Sequence, residues 1–384
     1  MWRAIASNAL TMLIVALFLV GGVIIWGQRE YQSAGPLNEA ICLRVEPGSN
    51  FKKVSDRLEE DGAISSGMIM RLGVDYTDKA SKLKAGSFLV PKGASMEEIA
   101  DIVTRGGAST CGVEVVYRIG VTRSAVVVRE LDPSTSRYVE KAEFNPAEDD
   151  APEKYTQVRD QADTRYRIAL AEGVTSWQIV DALKGIELLT GDVADVPAEG
   201  TLSPDSYEVR VGDTRGSVLE RMSEAQDIIL QEAWQNRVDG LPLDSLEEAL
   251  ILASIIEKET GIADERRTVA SVFINRLNRG MRLQTDPTVI YGITKGQGVL
   301  GRGLRQSELR RETPWNTYVI DGLPPTPIAN PGRASIEAAL DPANTNYVFF
   351  VADGSGGHAF AETLDEHNRN VAKWRQIERE RAQQ

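Results

Sequence analysis

Ala9 to Trp26 is an uncharged, almost wholly apolar run of 18 residues. As a helix it is about 27 Å long, enough to cross the hydrocarbon core of a bilayer with little tilt. A segment apolar on every face cannot lie on the surface of a water-soluble domain, so this run sets where the remainder of the chain must fold. Secretory signal cores are shorter, roughly 7 to 15 residues, and neither an A-x-A pattern nor a nearby cysteine follows. The run reads as an uncleaved anchor, with a cleaved signal peptide as the alternative. Arg3 and the terminal amine precede it and Arg29 and Glu30 follow it; the short N-terminal side favours an N-in orientation. On this reading residues 1–8 are a cytoplasmic tail, 9–27 the anchor of a single-pass inner (plasma) membrane protein, and 28–40 a polar linker. Everything beyond is periplasmic or extracytoplasmic.

The formal net charge of -13 argues against a nucleic-acid partner and against docking on anionic headgroups. The two cysteines, Cys42 and Cys111, both lie beyond the anchor. In an oxidising compartment they form one disulfide; two buried thiols are the other reading.

A weak internal repeat follows the linker. Leu43 to Gly48, Phe88 to Gly93 and Tyr166 to Gly173 each read as a short strand ending in a glycine turn, and each precedes an amphipathic helix with Ser or Thr near its start. In the second unit Ser95 with Glu98 forms an S-x-x-E capping box. Residues 41–110 resemble a LysM-type carbohydrate-binding module; a small α+β spacer explains the same pattern. Residues 111–165 read as an insertion: Val113 to Tyr117 and Ala125 to Val128 have β character, and the chain then becomes polar and acidic. Residues 166–384 form a larger α+β domain.

Within that domain Leu241 to Gly292 reads as two helices and a polar loop. Asp244 with Glu247 suggests a D-x-x-E start. The run ALILASII, Ala249 to Ile256, is too apolar for a surface helix, yet it leads into Glu257-Lys258-Glu259. Glu259 falls in the last turn, on the side of Leu252, Ile255 and Ile256. Apolar neighbours, the negative end of the helix dipole and Glu257 all act to raise a carboxyl pKa there. A carboxyl protonated near neutral pH suits a general acid. Ion pairs of the carboxylates with Lys258, Arg266 or Arg267 are the structural alternative. With two histidines, no HExxH, no CxxC, no G-x-S-x-G and no P-loop, no metal or cofactor is expected. Carboxyl chemistry without a cofactor points to glycoside cleavage as the largest class.

Four segments then carry a specific resemblance: ASIIEKET (Ala253 to Thr260), ASVFINRLNRGMRLQTDPTVIYG (Ala270 to Gly292), WNTYVIDGLPPTPIANPG (Trp315 to Gly332) and YVFFVADGSGGHAFAETLDEHN (Tyr347 to Asn368). The chain resembles the MltG (YceG-like) family of endolytic murein transglycosylases. The family's general acid/base is the second Glu of its E-K-E segment, which is Glu259 here. Its Q-T-D-P-T segment begins at Gln284, Thr285 and Asp286, and its N-T-Y is Asn316, Thr317 and Tyr318. Of these, Gln284, Thr285, Asp286, Asn316 and Tyr318, with Glu257 and His358, are candidates for substrate binding or support. Loop or core hydrogen bonding is the alternative role of Asp286, Asn316, Tyr318 and His358. The sequence departs from the family at Trp315, where Tyr is usual, at Ser203 and Ser206 around Pro204-Asp205, and in the 111–165 insertion.

The resemblance implies cleavage of the MurNAc-β-1,4-GlcNAc bond without water, leaving a 1,6-anhydro-MurNAc end. It implies peptidoglycan glycan strands as substrate and the bilayer as anchor, with peptidoglycan synthases or other divisome or elongation proteins as candidate partners. A lysozyme-like hydrolase would need a second carboxylate, Glu257 or Asp286. A non-catalytic wall-binding scaffold would use the carboxylates structurally. The substrate groove is expected between the Gln284 to Pro331 loops and the helix end at Glu259.

Overall fold

The computed structural model describes residues 2–105 and 109–381. It mixes helix and sheet, as an α+β chain should. Helix α1 (Trp2–Gln32) contains the apolar run, and its part Asn8–Gln32 is long and apolar enough to cross a membrane. Side chains such as Leu10, Phe18 and Trp26 stand exposed on it.

The chain forms two compact units, the first of which includes α1. The first holds residues 1–116 with 127–144 and 149–166, the second residues 117–126 with 145–148 and 167–384. In the first unit β1 (Ile41–Val45) precedes α2 (Phe51–Glu60) and α3 (Gly67–Tyr76). Then come β2 (Gly86–Val90) and α4 (Met96–Thr104). The two strands of the repeat pair with each other antiparallel, Leu43 opposite Phe88, over a core that includes Leu58, Met70 and Ile99. Asn50, not Ser49, caps α2, while Ser95 and Glu98 form the expected capping box on α4. Helix α3 carries no clear sequence signal because Gly67 and Gly73 lower its propensity. The packing explains Gly73: a Cβ there would lie 2.4 Å from the Tyr31 ring. Cys42 and Cys111 are joined in a disulfide with Cα atoms 5.8 Å apart, within the usual range.

Three further strands, β3 (Val113–Ile119), β4 (Ser124–Asp132) and β5 (Arg137–Phe144), run in succession. Helix α5 (Glu153–Val158), β6 (Arg165–Leu170), α6 (Ser176–Lys184) and β7 (Ser206–Val209) follow. The five strands form one sheet in the order β5-β4-β3-β6-β7. Strand β5 adds a strand in a stretch that the sequence reading describes only as polar and acidic. It is an edge strand, mostly exposed, held by main-chain pairing rather than by burial of one face, so its hydrophobic alternation is faint.

The second unit is built around α8 (Leu246–Glu259), which follows α7 (Arg215–Gln235). Every residue from Ala249 to Ile256 is buried. The helix is apolar all round because α7, α9 (Arg266–Asn278) and α10 (Asp286–Thr294) pack on it. After α11 (Gln306–Leu309), helix α12 (Arg333–Leu340) covers it as well. The α8 start lies one residue later than the D-x-x-E reading: Ser245 accepts from the Glu248 N–H, and the Glu248 carboxylate accepts from the Asp244 N–H. Helix α10 replaces the expected loop after Gln284. Thr285 is its N-cap position, and Pro287, which reads as a turn former, sits in its first turn where a missing N–H costs nothing. The hairpin β8 (Phe349–Ala352) and β9 (His358–Ala361) and helix α13 (Leu364–Arg381) complete the unit.

Candidate active site

The last residue of α8 is Glu259, followed by the extended Thr260. Its carboxyl is partly buried, and the Thr285 hydroxyl at the start of α10 donates to Oε1. Burial pushes the Glu259 pKa above the ordinary carboxylate range. The Thr285 hydrogen bond pulls it back, Asp286 adds a like-charge push, and His358 and Arg276 pull it down. Burial wins, so the protonated form is favoured beyond the pH at which a free glutamate ionises. A neutral carboxyl oriented by a hydroxyl can donate a proton to a bound oxygen and take one back.

Two loops hold this geometry. Gln284, exposed and with left-handed backbone (φ 48°), donates its N–H to the Thr317 carbonyl at 3.1 Å. The Thr285 N–H donates to Thr317 Oγ1 at 3.1 Å, and Thr288 Oγ1 lies 2.9 Å from Thr317 Oγ1. The Q-T-D-P-T and N-T-Y segments are thereby locked together. Tyr318 donates its hydroxyl to Asp286 Oδ1 at 2.7 Å. Burial, together with Asp286, keeps that phenol protonated.

Asn316 is fully buried and spent on the loop. Its amide donates to the carbonyls of Glu308, Leu309 and Arg311, and its Oδ1 accepts the Tyr318 N–H at 3.0 Å. Glu257 accepts the Gly332 N–H at 3.0 Å, and Asp286 is the carboxylate that presses on Glu259. His358 places Nδ1 2.8 Å from Glu265 Oε2 and donates its backbone N–H to Oε1 at 3.0 Å.

Arg276 and Glu265 escaped the sequence reading. Arg276 sits on α9, and its guanidinium donates to the carbonyls of Val348 and Leu283. Burial lowers its pKa, opposed by Tyr318 and Glu259. An arginine among Phe273, Ile274 and Leu277 on a mostly buried helix was the available signal.

A second buried carboxyl lies in the same unit. Glu199 accepts the Ser176 N–H at 2.8 Å and the Asn330 amide at 3.3 Å. Burial pushes it up to about 7, with Ser176, Tyr291 and Gly200 hydrogen bonds pulling down. Lys258, beside Glu259 in sequence, donates to the Gly173 carbonyl at 3.1 Å. Among the described residues no group of three His, Cys, Asp or Glu side chains converges as a metal-ligand set.

The model of the YceG-like family matches residues 43–373. A Bacillus subtilis (strain 168) protein named endolytic murein transglycosylase is 27% identical over 368 residues, covering 93% of this chain and 91% of that one. A Streptococcus pneumoniae (serotype 2, strain D39) protein of the same name is 25% identical over 339 residues; the match covers 87% of this chain and 58% of the pneumococcal one. A crystal structure of a yceG-like protein from Listeria monocytogenes aligns with a TM-score of 0.47 and 25% identity, covering 86% of this chain and 98% of that one.

Proposed function

This chain belongs to the YceG-like family, and from that premise we propose that it is an endolytic murein transglycosylase acting on MurNAc-β-1,4-GlcNAc bonds within peptidoglycan strands. The observation that carries the reading is the Glu259 carboxyl, desolvated at the end of a buried helix so that its proton is held more firmly, and aimed by the Thr285 hydroxyl. Protonated Glu259 donates to the glycosidic oxygen as the bond from C1 of MurNAc breaks. The resulting carboxylate removes the proton of the C6 hydroxyl, whose oxygen closes on C1. The products are a 1,6-anhydro-MurNAc end and a free GlcNAc 4-hydroxyl, with Glu259 protonated again and no water consumed. Asp286, with the Tyr318 hydroxyl on it, supplies negative charge for the oxocarbenium-like transition state.

In the first unit, the β1-α2-α3-β2 arrangement supports a LysM-like, glycan-binding role for residues 41–110. The N-in orientation puts the catalytic residues outside the cytoplasmic membrane, where the substrate lies, and envelope proteins that build the wall are the partners this placement favours.

A lysozyme-like hydrolase is the second reading, favoured by one observation: Asp286 is a second carboxylate close enough to act on Glu259. Digestion of purified sacculi in 18O-labelled water separates the two. Unlabelled products lighter by one water support the lyase, and labelled reducing ends support the hydrolase. Glu259→Gln should lose about 100-fold or more of either activity. Near-normal cleavage by that variant would remove Glu259 from the mechanism.

A further inference from the structure

We propose that helix α3 docks on the bilayer surface beside the anchor, through an apolar stripe of Met68, Leu72 and Tyr76; this rests on reading α1 as membrane-spanning. The three side chains are 65%, 59% and 90% exposed. Their four-residue spacing lines them up along one edge of α3, while Gly67, Met70 and Val74 face the core. The other exposed large apolar side chains outside α1 occur singly among the described residues. Arg71 turns aside to Asp56 at 2.6 Å, and the exposed Asp75 beside Met68 and Leu72 bounds the stripe on one side.

The occupant follows from what α3 is fastened to. The apolar run ends at Trp26, and five residues later, about 7.5 Å along the helix, the Tyr31 ring is buried against Gly73 of α3. Ser65, just before α3, donates to Glu30 Oε1 at 2.5 Å. The linker is pinned as well, with the Gly35 N–H on the Gly93 carbonyl at 3.1 Å and the Gly93 N–H on the Leu37 carbonyl at 3.0 Å. Helix α3 is thus held about one and a half helical turns from the end of the apolar run. On a helical wheel the stripe flanks the Gly73 edge that touches α1, with the exposed Gln28 and Arg29 of α1 between the end of the apolar run and that contact. Tyr76, with an apolar ring and a polar tip, suits the headgroup boundary. With a net charge of -13, apolar insertion rather than attraction to anionic lipid drives the contact.

The test uses the full chain reconstituted in phosphatidylcholine vesicles with no other protein. Because Cys42 and Cys111 are bonded to each other, a single introduced thiol takes an environment-sensitive fluorophore. Leu72→Cys and Met68→Cys probes should lose emission when the lipid carries a headgroup nitroxide, and Lys52→Cys on the exposed side of α2 should not. Adding anionic lipid should leave the result unchanged. Quenching at Leu72→Cys no greater than at Lys52→Cys overturns the proposal. So does quenching that needs anionic lipid, or a blue shift that depends on protein density rather than lipid, which would assign the stripe to a second copy. Phe18→Cys with a quencher in the acyl chains tests the anchor separately: quenching there without quenching at Leu72→Cys overturns the α3 contact alone, whereas none at Phe18→Cys removes the anchor on which it rests.

Discussion

Thr285 and Glu259 are 26 positions apart in the chain, yet the Thr285 hydroxyl donates to the Glu259 carboxyl. The bond spans two helices, from the N-cap position of α10 to the last residue of α8. It favours the ionised carboxyl, opposing the burial that favours the neutral one.

Thr285→Val keeps the shape and removes the hydroxyl. A general acid works in its protonated form, so activity falls as pH rises through the folded-state pKa of Glu259. Without the bond that pKa rises further, and the alkaline limb of the pH–rate profile should move upward. The maximal rate should fall as the carboxyl loses its aim, with a stability cost of about 1 kcal/mol. A limb that stays in place would show that another group sets it.

Glu199 should make stability depend on pH. Its folded-state pKa, about 7, lies above the ordinary value of 4.5. The folded protein therefore holds a proton that the unfolded chain releases between those values. The stabilisation is complete below the lower value and is lost as pH rises through the upper one. Glu199→Gln does not titrate, and relative to the parent it should gain up to about 3 kcal/mol at pH near 8 and nothing at pH near 4. Thermal unfolding of both proteins across that range checks the sign.

Asn316→Ala should be costly because the asparagine side chain is buried and holds the loop together. It strands the carbonyls of Glu308, Leu309 and Arg311 and the N–H of Tyr318. A loss of about 3 kcal/mol is expected, and cleavage should weaken because Tyr318 and Asp286 lose their support. Urea unfolding and sacculus digestion read the two effects.

Reducing the Cys42–Cys111 bond, which closes a loop of 69 residues, should cost about 4 kcal/mol in the chain-entropy model. The loss should appear as a lower-melting transition in reductant and equally in Cys42→Ser with Cys111→Ser. Both residues lie in the first unit, so cleavage by the second should persist below that transition.

Local periodicity made much of this protein legible before folding: the long apolar helix near the N-terminus, the caps at Ser95 and Thr175, the buried run from Ala249 to Ile256 and the carboxylates at its end. Each is a statement about neighbours within a helical turn or a strand, which composition and spacing encode directly. Strand β5 was hidden because an edge strand needs no apolar face, and α10 because its Pro287 and Thr288 also suit a turn.

The partners of Glu259 lay outside that reach. In the chain Glu257 is two residues from Glu259, and Asp286 is 27 away. The fold reverses their standing, because residues two apart on a helix point to different sides, while packing of α10 on α8 brings Asp286 and Thr285 to the carboxyl. Arg276 and His358 reach it from α9 and β9 in the same way. Sequence determined that a carboxyl would stand at the end of a buried helix. Tertiary packing decided which groups surround it and hence its protonation, because desolvation and charge act through space and not along the chain.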